Sequence, residues 1–171
     1  MGAQKTRLSP KALDISTMIE VDKLGPPSLK IYGFALWVHS RQFPESEDFY
    51  DGNWLNVTAH CSASGASVWV QGAILMVTDL ERWATQCESL YQSLNGEAIL
   101  DSYEPGLRVI LNSTDTLGHL RMQVAITPDH LNQRHTFDFE LDQSYLPQLI
   151  RNCREIIAVY PIRGTEEKQN A

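Results

Sequence analysis

The order in which two hydrophobic periodicities alternate constrains this chain more than any other feature. Runs with every second residue apolar are joined by short turns, and twice they give way to a stripe with a three- and four-residue repeat. The first stripe is Leu80, Trp83, Ala84, Cys87, Leu90, Tyr91 and Leu94, which lie along one side of a helix. Thr78 before it and Glu81 three residues later have capping-box spacing, and Asn95-Gly96 supplies a left-handed stop. The second stripe is Leu146, Leu149, Ile150, Cys153, Ile156 and Ile157. Ser144 stands as its cap, Pro147 falls in its first turn and Pro161 lies beyond its end.

Four strands are expected before the first helix. They are Thr17 to Val21, a run from Leu29 to Trp37 that is apolar on both faces, Asn53 to Cys61, and Ala66 to Met76. Four more precede the second helix: Glu97 to Ser102, Leu107 to Leu111, Leu120 to Ile126, and Phe137 to Leu141. Short turns between consecutive strands dictate antiparallel pairing, and two amphipathic helices can cover one face of the resulting sheet. The expected fold is α+β and two-layered, with a mainly antiparallel sheet of about seven to eight strands and both helices on one face. Residues 1–16 read as a flexible extension, 17–163 as a single domain and 164–171 as a polar tail.

Charge narrows the function. The chain of 171 residues has 14 Lys and Arg against 21 Asp and Glu, a net charge of −7, which argues against nucleic acid as a direct ligand. No apolar run approaches the ~18 residues of a membrane span, and no secretory leader is evident, so a cytoplasmic protein with no membrane partner is expected. Three cysteines without paired spacing fit a reducing compartment. Cys87 and Cys153 fall on the helix stripes, where a thiol acts as a small hydrophobe. Phosphate-binding glycine loops and nucleophile elbows are absent. The five histidines lack zinc-ligand spacing, and His60 and Cys61 are neighbours on a strand and therefore point to opposite faces. No catalytic residue, metal or cofactor is assigned.

Two acidic features remain. Glu45, Glu47, Asp48 and Asp51 crowd a loop without a base, interleaved with Phe43, Phe49 and Tyr50. Aromatic anchors and carboxylates together suit a surface for a basic protein, with Glu45, Glu47, Asp48, Tyr50 and Asp51 as contacts. Phe49 and Trp54 can instead plug the end of the core, and Trp54 at the start of a strand is expected to be buried. Asp138, Glu140 and Asp142 share one strand face. They form either a second contact patch, a site for a cation or general acid, or the wet face of an edge strand.

The string Phe43-Pro44, an acidic gap, then Phe49-Tyr50-Asp51-Gly52-Asn53-Trp54-Leu55 is similar to the "FP…DYWDxNWL" signature of the WapI-type immunity proteins, small bacterial cytoplasmic domains. Leu80-Glu81-Arg82-Trp83 resembles that family's first helix, and Tyr103-Glu104-Pro105-Gly106-Leu107 its "EPxL" turn. Phe137 to Leu141 resembles its last strand, and Leu149-Ile150 through Tyr160-Pro161 its final helix. The resemblance spans about residues 17 to 163. It departs at Tyr50, where the family often carries Trp. It implies a non-enzymatic immunity protein that binds and neutralises a cognate toxin, often a nuclease, hence a basic protein that a negative surface can attract. The competing reading is a small-molecule or metal-binding domain or an enzyme, with His60 or His135 beside Glu140 in a pocket between sheet and helices. Oligomeric state is not legible.

Overall fold

The structure is a computed structural model that describes residues 23–166. The extension 1–16, the strand expected at Thr17 to Val21 and the last part of the polar tail lie outside those residues. Eight strands and two helices follow in the order β1 (Leu29–Ile31), β2 (Phe34–Arg41), β3 (Trp54–Ala63), β4 (Ala66–Met76), α1 (Val77–Ser93), β5 (Glu97–Asp101), β6 (Leu107–Ser113), β7 (His119–Ile126), β8 (Thr136–Asp142) and α2 (Leu146–Val159). The α+β class read from the periodicities holds. The eight strands are divided between two antiparallel meanders, β1-β2-β3-β4 and β5-β6-β7-β8, each followed by its helix.

Alternation decides what each strand buries. Leu55, Val57, Ala59 and Cys61 of β3 face inward with Phe34 and Leu36 of β2; Leu120, Met122, Val124 and Ile126 of β7 face inward with Phe137, Phe139 and Leu141 of β8. The helix stripes, from Leu80 to Leu90 and from Leu146 to Ile156, join them in one buried cluster. Cys87 and Cys153 sit fully buried within it, as their stripe positions required, and burial pushes the Cys153 thiol up to about 12. Arg154 of α2 holds the two helices together from outside, reaching Glu81 and, at 3.0 Å, Glu88 of α1.

Local departures from the expected elements have identifiable causes. The run from Leu29 to Trp37 is two strands, because Tyr32 and Gly33 form a two-residue hairpin turn between Ile31 and Phe34. Tyr32 takes a positive φ of 50°, and Gly33 has no room for a side chain. A Cβ there would meet the Ser62 carbonyl oxygen and lie 2.7 Å from the Phe139 ring. Helix α1 starts at Val77 with Met76 as its cap, two residues before the start that a Thr78 cap implies. Asp79 rather than Glu81 reaches back, accepting the Met76 N–H at 2.9 Å, and burial raises its carboxyl above the usual range. At the other end Leu94 adopts the left-handed conformation at φ 51°, with Gly96 following at 98°.

A bulge in β2 matters most for the surface. Val38 pairs with Val57, but Ser40 pairs with Asn56, so His39 is inserted without a partner. Strict alternation would point residue 40 inward and residue 41 outward. The inserted residue reverses that parity, and Arg41 turns inward opposite Leu55, only 7% exposed.

Candidate partner-binding surface

The acidic loop connects β2 to β3 and is fastened at its base by residues distant in sequence. Arg41 donates to the carbonyls of Gly52 and Pro161. Asn53, fully buried, donates to the Phe49 carbonyl at 2.6 Å and the Arg163 carbonyl at 2.8 Å, and accepts the Arg163 N–H at 3.0 Å. The Arg163 guanidinium then donates to the Pro44 and Ser46 carbonyls at 2.6 and 2.7 Å, and lies 3.8 Å from Glu47. Gly52 and Gly164 fit because neither carries a Cβ. One at Gly52 would lie 2.6 Å from the Ser46 oxygen, and one at Gly164 2.7 Å from the Phe49 nitrogen. The packed chain therefore continues through Gly164, one residue into the segment expected as a polar tail.

This arrangement answers the absence of a base within the loop. Two arginines from outside it bind carbonyls that would otherwise be unpaired, and the carboxylates are left facing water. Glu45, Glu47, Asp48 and Asp51 are all exposed, and Tyr50 is 46% exposed with its ring edge-on to Phe49. Asp48 has a structural duty as well, since one oxygen accepts the Tyr50 and Asp51 N–H groups at 2.8 and 3.0 Å. Phe43 on the same loop is 45% exposed. Trp54 is only half-buried, against the expectation of burial. It starts β3 on the outward parity, where its ring meets that of Tyr103.

The second group sits on the outer face of β8. Asp138 is engaged by Arg121 at 3.0 Å and Gln123 at 3.1 Å, both on β7. Asp142 accepts the Ser144 N–H at 2.8 Å and so caps the turn leading into α2. Glu140 has no ion-pair or hydrogen-bond partner among the described residues. An open groove of about 840 Å³ runs beside this strand, bounded by Asp138, Phe139 and Glu140 on one side and by Tyr32, Gly33 and the Ser62–Ser64 turn on the other. Neither His60 nor His135 enters it.

The structure does not bring the two acidic groups together. The loop adjoins the Trp54 end of β3, whereas the groove beside Asp138 and Glu140 adjoins the Ser62 end. Those ends are separated by roughly 30 Å of extended chain. A further surface feature escaped sequence reasoning. On the outer face of the first sheet, Trp69 stacks on His60 at 3.9 Å and on Trp37 at 5.7 Å, and the register His60↔Trp69 shows why. Alternation places these rings on the outward parity, but stacking needs the strand pairing, which only the fold supplies.

Four of the five histidines have a hydrogen-bond partner, His135 through Gln133 at 3.3 Å. His39 and His60 bond the hydroxyls of Thr58 and Ser67 at 2.8 and 2.9 Å, and His119 bonds Asp115 at 2.5 Å. Among the described residues no three His, Cys, Asp or Glu side chains converge as metal ligands, and no helix is long and apolar enough to cross a membrane. No curated protein matches the chain. Residues 28–161, the stretch holding all eight strands and both helices, match the immunity protein WapI-like family, and the chain belongs to that family.

Proposed function

We propose that this chain is a cytoplasmic, non-enzymatic inhibitor that binds and neutralises a cognate basic toxin, a nuclease being the class whose charge fits. Family membership supports an immunity-protein role in general terms. The observation that carries the finer reading is the fastened acidic loop. Arg41, Asn53 and Arg163 hold its backbone, so Glu45, Glu47, Asp51 and Tyr50 are presented in a fixed shape before any partner arrives. Pre-organisation lowers the entropy cost of association, and exposed carboxylates raise the encounter rate with a basic partner. The net charge of −7 acts in the same direction.

The test is co-purification of the chain with the toxin domain encoded by the adjacent gene, followed by association kinetics. Glu45→Lys combined with Asp51→Lys reverses two exposed charges and spares both the Asp48 turn bonds and the Glu47–Arg163 contact. The double variant should slow association on the order of tenfold at low salt, and the difference should shrink as salt is raised. Absence of any basic protein in the co-purified fraction, with an unchanged interaction profile for the double variant, would refute the proposal. So would turnover of a substrate by the purified chain that a single side-chain replacement abolishes.

A further inference from the structure

The second sheet ends at β8, and the ladder shows which of its backbone groups are unused. Ile126 N–H donates to the His135 carbonyl at 3.1 Å, and Gln143 N–H to the Gly118 carbonyl at 2.8 Å. These bonds bracket the β7–β8 register, in which Leu120↔Leu141, Met122↔Phe139 and Val124↔Phe137 share the same parity. In an antiparallel ladder hydrogen-bonded and non-bonded pairs alternate. Phe137, Phe139 and Leu141 therefore point their N–H and C=O groups at β7, and Asp138 and Glu140 point theirs away from it. The opposite edge of this sheet is treated differently. Ile99 N–H on β5 is taken by the Gln86 side chain of α1 at 2.7 Å.

The free edge opens onto the groove of about 840 Å³ described above. Its far wall holds Tyr32, 52% exposed, whose ring packs 5.4 Å from that of Phe139. Gly33 beside it leaves the groove without a side chain. An extended chain laid along β8 would direct alternate residues to the two faces. Those on the outer face would meet Glu140, the one carboxylate of the β8 row left without a partner among the described residues. Those on the inner face would meet Tyr32 and the rim of Phe139.

We propose that the β8 edge receives an extended segment of the toxin as a fifth strand of this sheet, with basic residues alternating with apolar ones. This rests on the immunity reading above and adds the surface and the mode of contact. The backbone groups of Asp138 and Glu140 supply the hydrogen bonds, Glu140 selects a cationic side chain, and Tyr32 covers an apolar one. The acidic loop, at the other end of β3, steers encounter.

The experiment uses the full chain and the adjacent-gene toxin domain, with residue-resolved hydrogen exchange in the free and bound states. The Asp138 and Glu140 amides, unprotected in the free chain, should slow by at least tenfold in the complex, the equivalent of one hydrogen bond. Glu140→Pro deletes an outward N–H, which an edge strand tolerates, together with the carboxylate, and should weaken binding by at least about tenfold. Glu140→Gln keeps the N–H and should weaken it less. A complex that forms while both amides stay unprotected, and that Glu140→Pro does not weaken, would overturn this inference and leave the immunity reading standing. Absence of any complex would overturn both. Protection already present in the free chain and lost on dilution would show a second copy at this edge and would also overturn it.

Discussion

Replacing Asn53 by Ala should cost about 3 kcal/mol, and the reasoning can be followed bond by bond. The side chain is fully buried and joins three backbone groups: the Phe49 carbonyl, the Arg163 carbonyl and the Arg163 N–H. Each bond contributes about 1 kcal/mol net, and alanine leaves all three groups without a protein partner. With a urea m-value of about 2 kcal/mol/M, the midpoint should fall by about 1.5 M. Arg163→Ala retains the backbone bonds to Asn53 and loses the guanidinium contacts to Pro44 and Ser46, so it should cost about 2 kcal/mol. Both changes release the same latch, and the double variant should cost clearly less than the sum. Asn53→Asp keeps the acceptor for Arg163 N–H but replaces the one amide nitrogen that donates to both carbonyls by an oxygen that repels them, and should be worse than Ala. A midpoint shift below about 0.3 M for Asn53→Ala, or full additivity in the double variant, would refute the latch.

Two further outcomes follow from side-chain environments. Trp83 is fully buried, and its indole N–H has no partner among the described residues; Trp83→Phe should therefore cost under about 1.5 kcal/mol in urea unfolding, against ~3–5 for Trp83→Ala, and a Phe variant as damaged as the Ala variant would mean the N–H is bonded after all. Asp115 raises the His119 imidazolium above its ordinary value and is itself held below the usual carboxylate range. The histidine's contribution to stability is complete below its unfolded pKa of about 6.5 and is lost as pH rises through its folded value, while the aspartate's is present above about 3.9 and lost as pH falls through its folded value. The pair thus stabilises most between those limits. In an NMR titration Asp115→Asn should bring the His119 midpoint down, and an unchanged midpoint would refute the coupling.

Local periodicity carried the helices, the strand directions and the α+β class, because each depends only on which residues share a face. Cys87 and Cys153 were legible as core residues for the same reason. The turn at Tyr32-Gly33 was not, since Leu29 to Trp37 is apolar on both faces and offers no break in alternation to read. The same strand ladder that exposes Asp138 and Glu140 on one face also frees their backbone groups, and only the first of these follows from sequence spacing.

By itself the sequence determined an acidic chain of two strand-rich halves, each closed by an amphipathic helix, with carboxylates gathered on a loop and on one strand face. The tertiary structure alone decided what those carboxylates can do. A single unpaired residue at His39 reverses the strand parity and so places Arg41 inside, and Arg163, more than 100 residues from the loop, supplies the rest of its latch. The division into two sheets sets β8 at an edge and parts the two acidic groups by roughly the length of β3. Spacing along a chain fixes which way neighbouring side chains point; which distant segments meet is settled by burying both sheets and both helices in a single core.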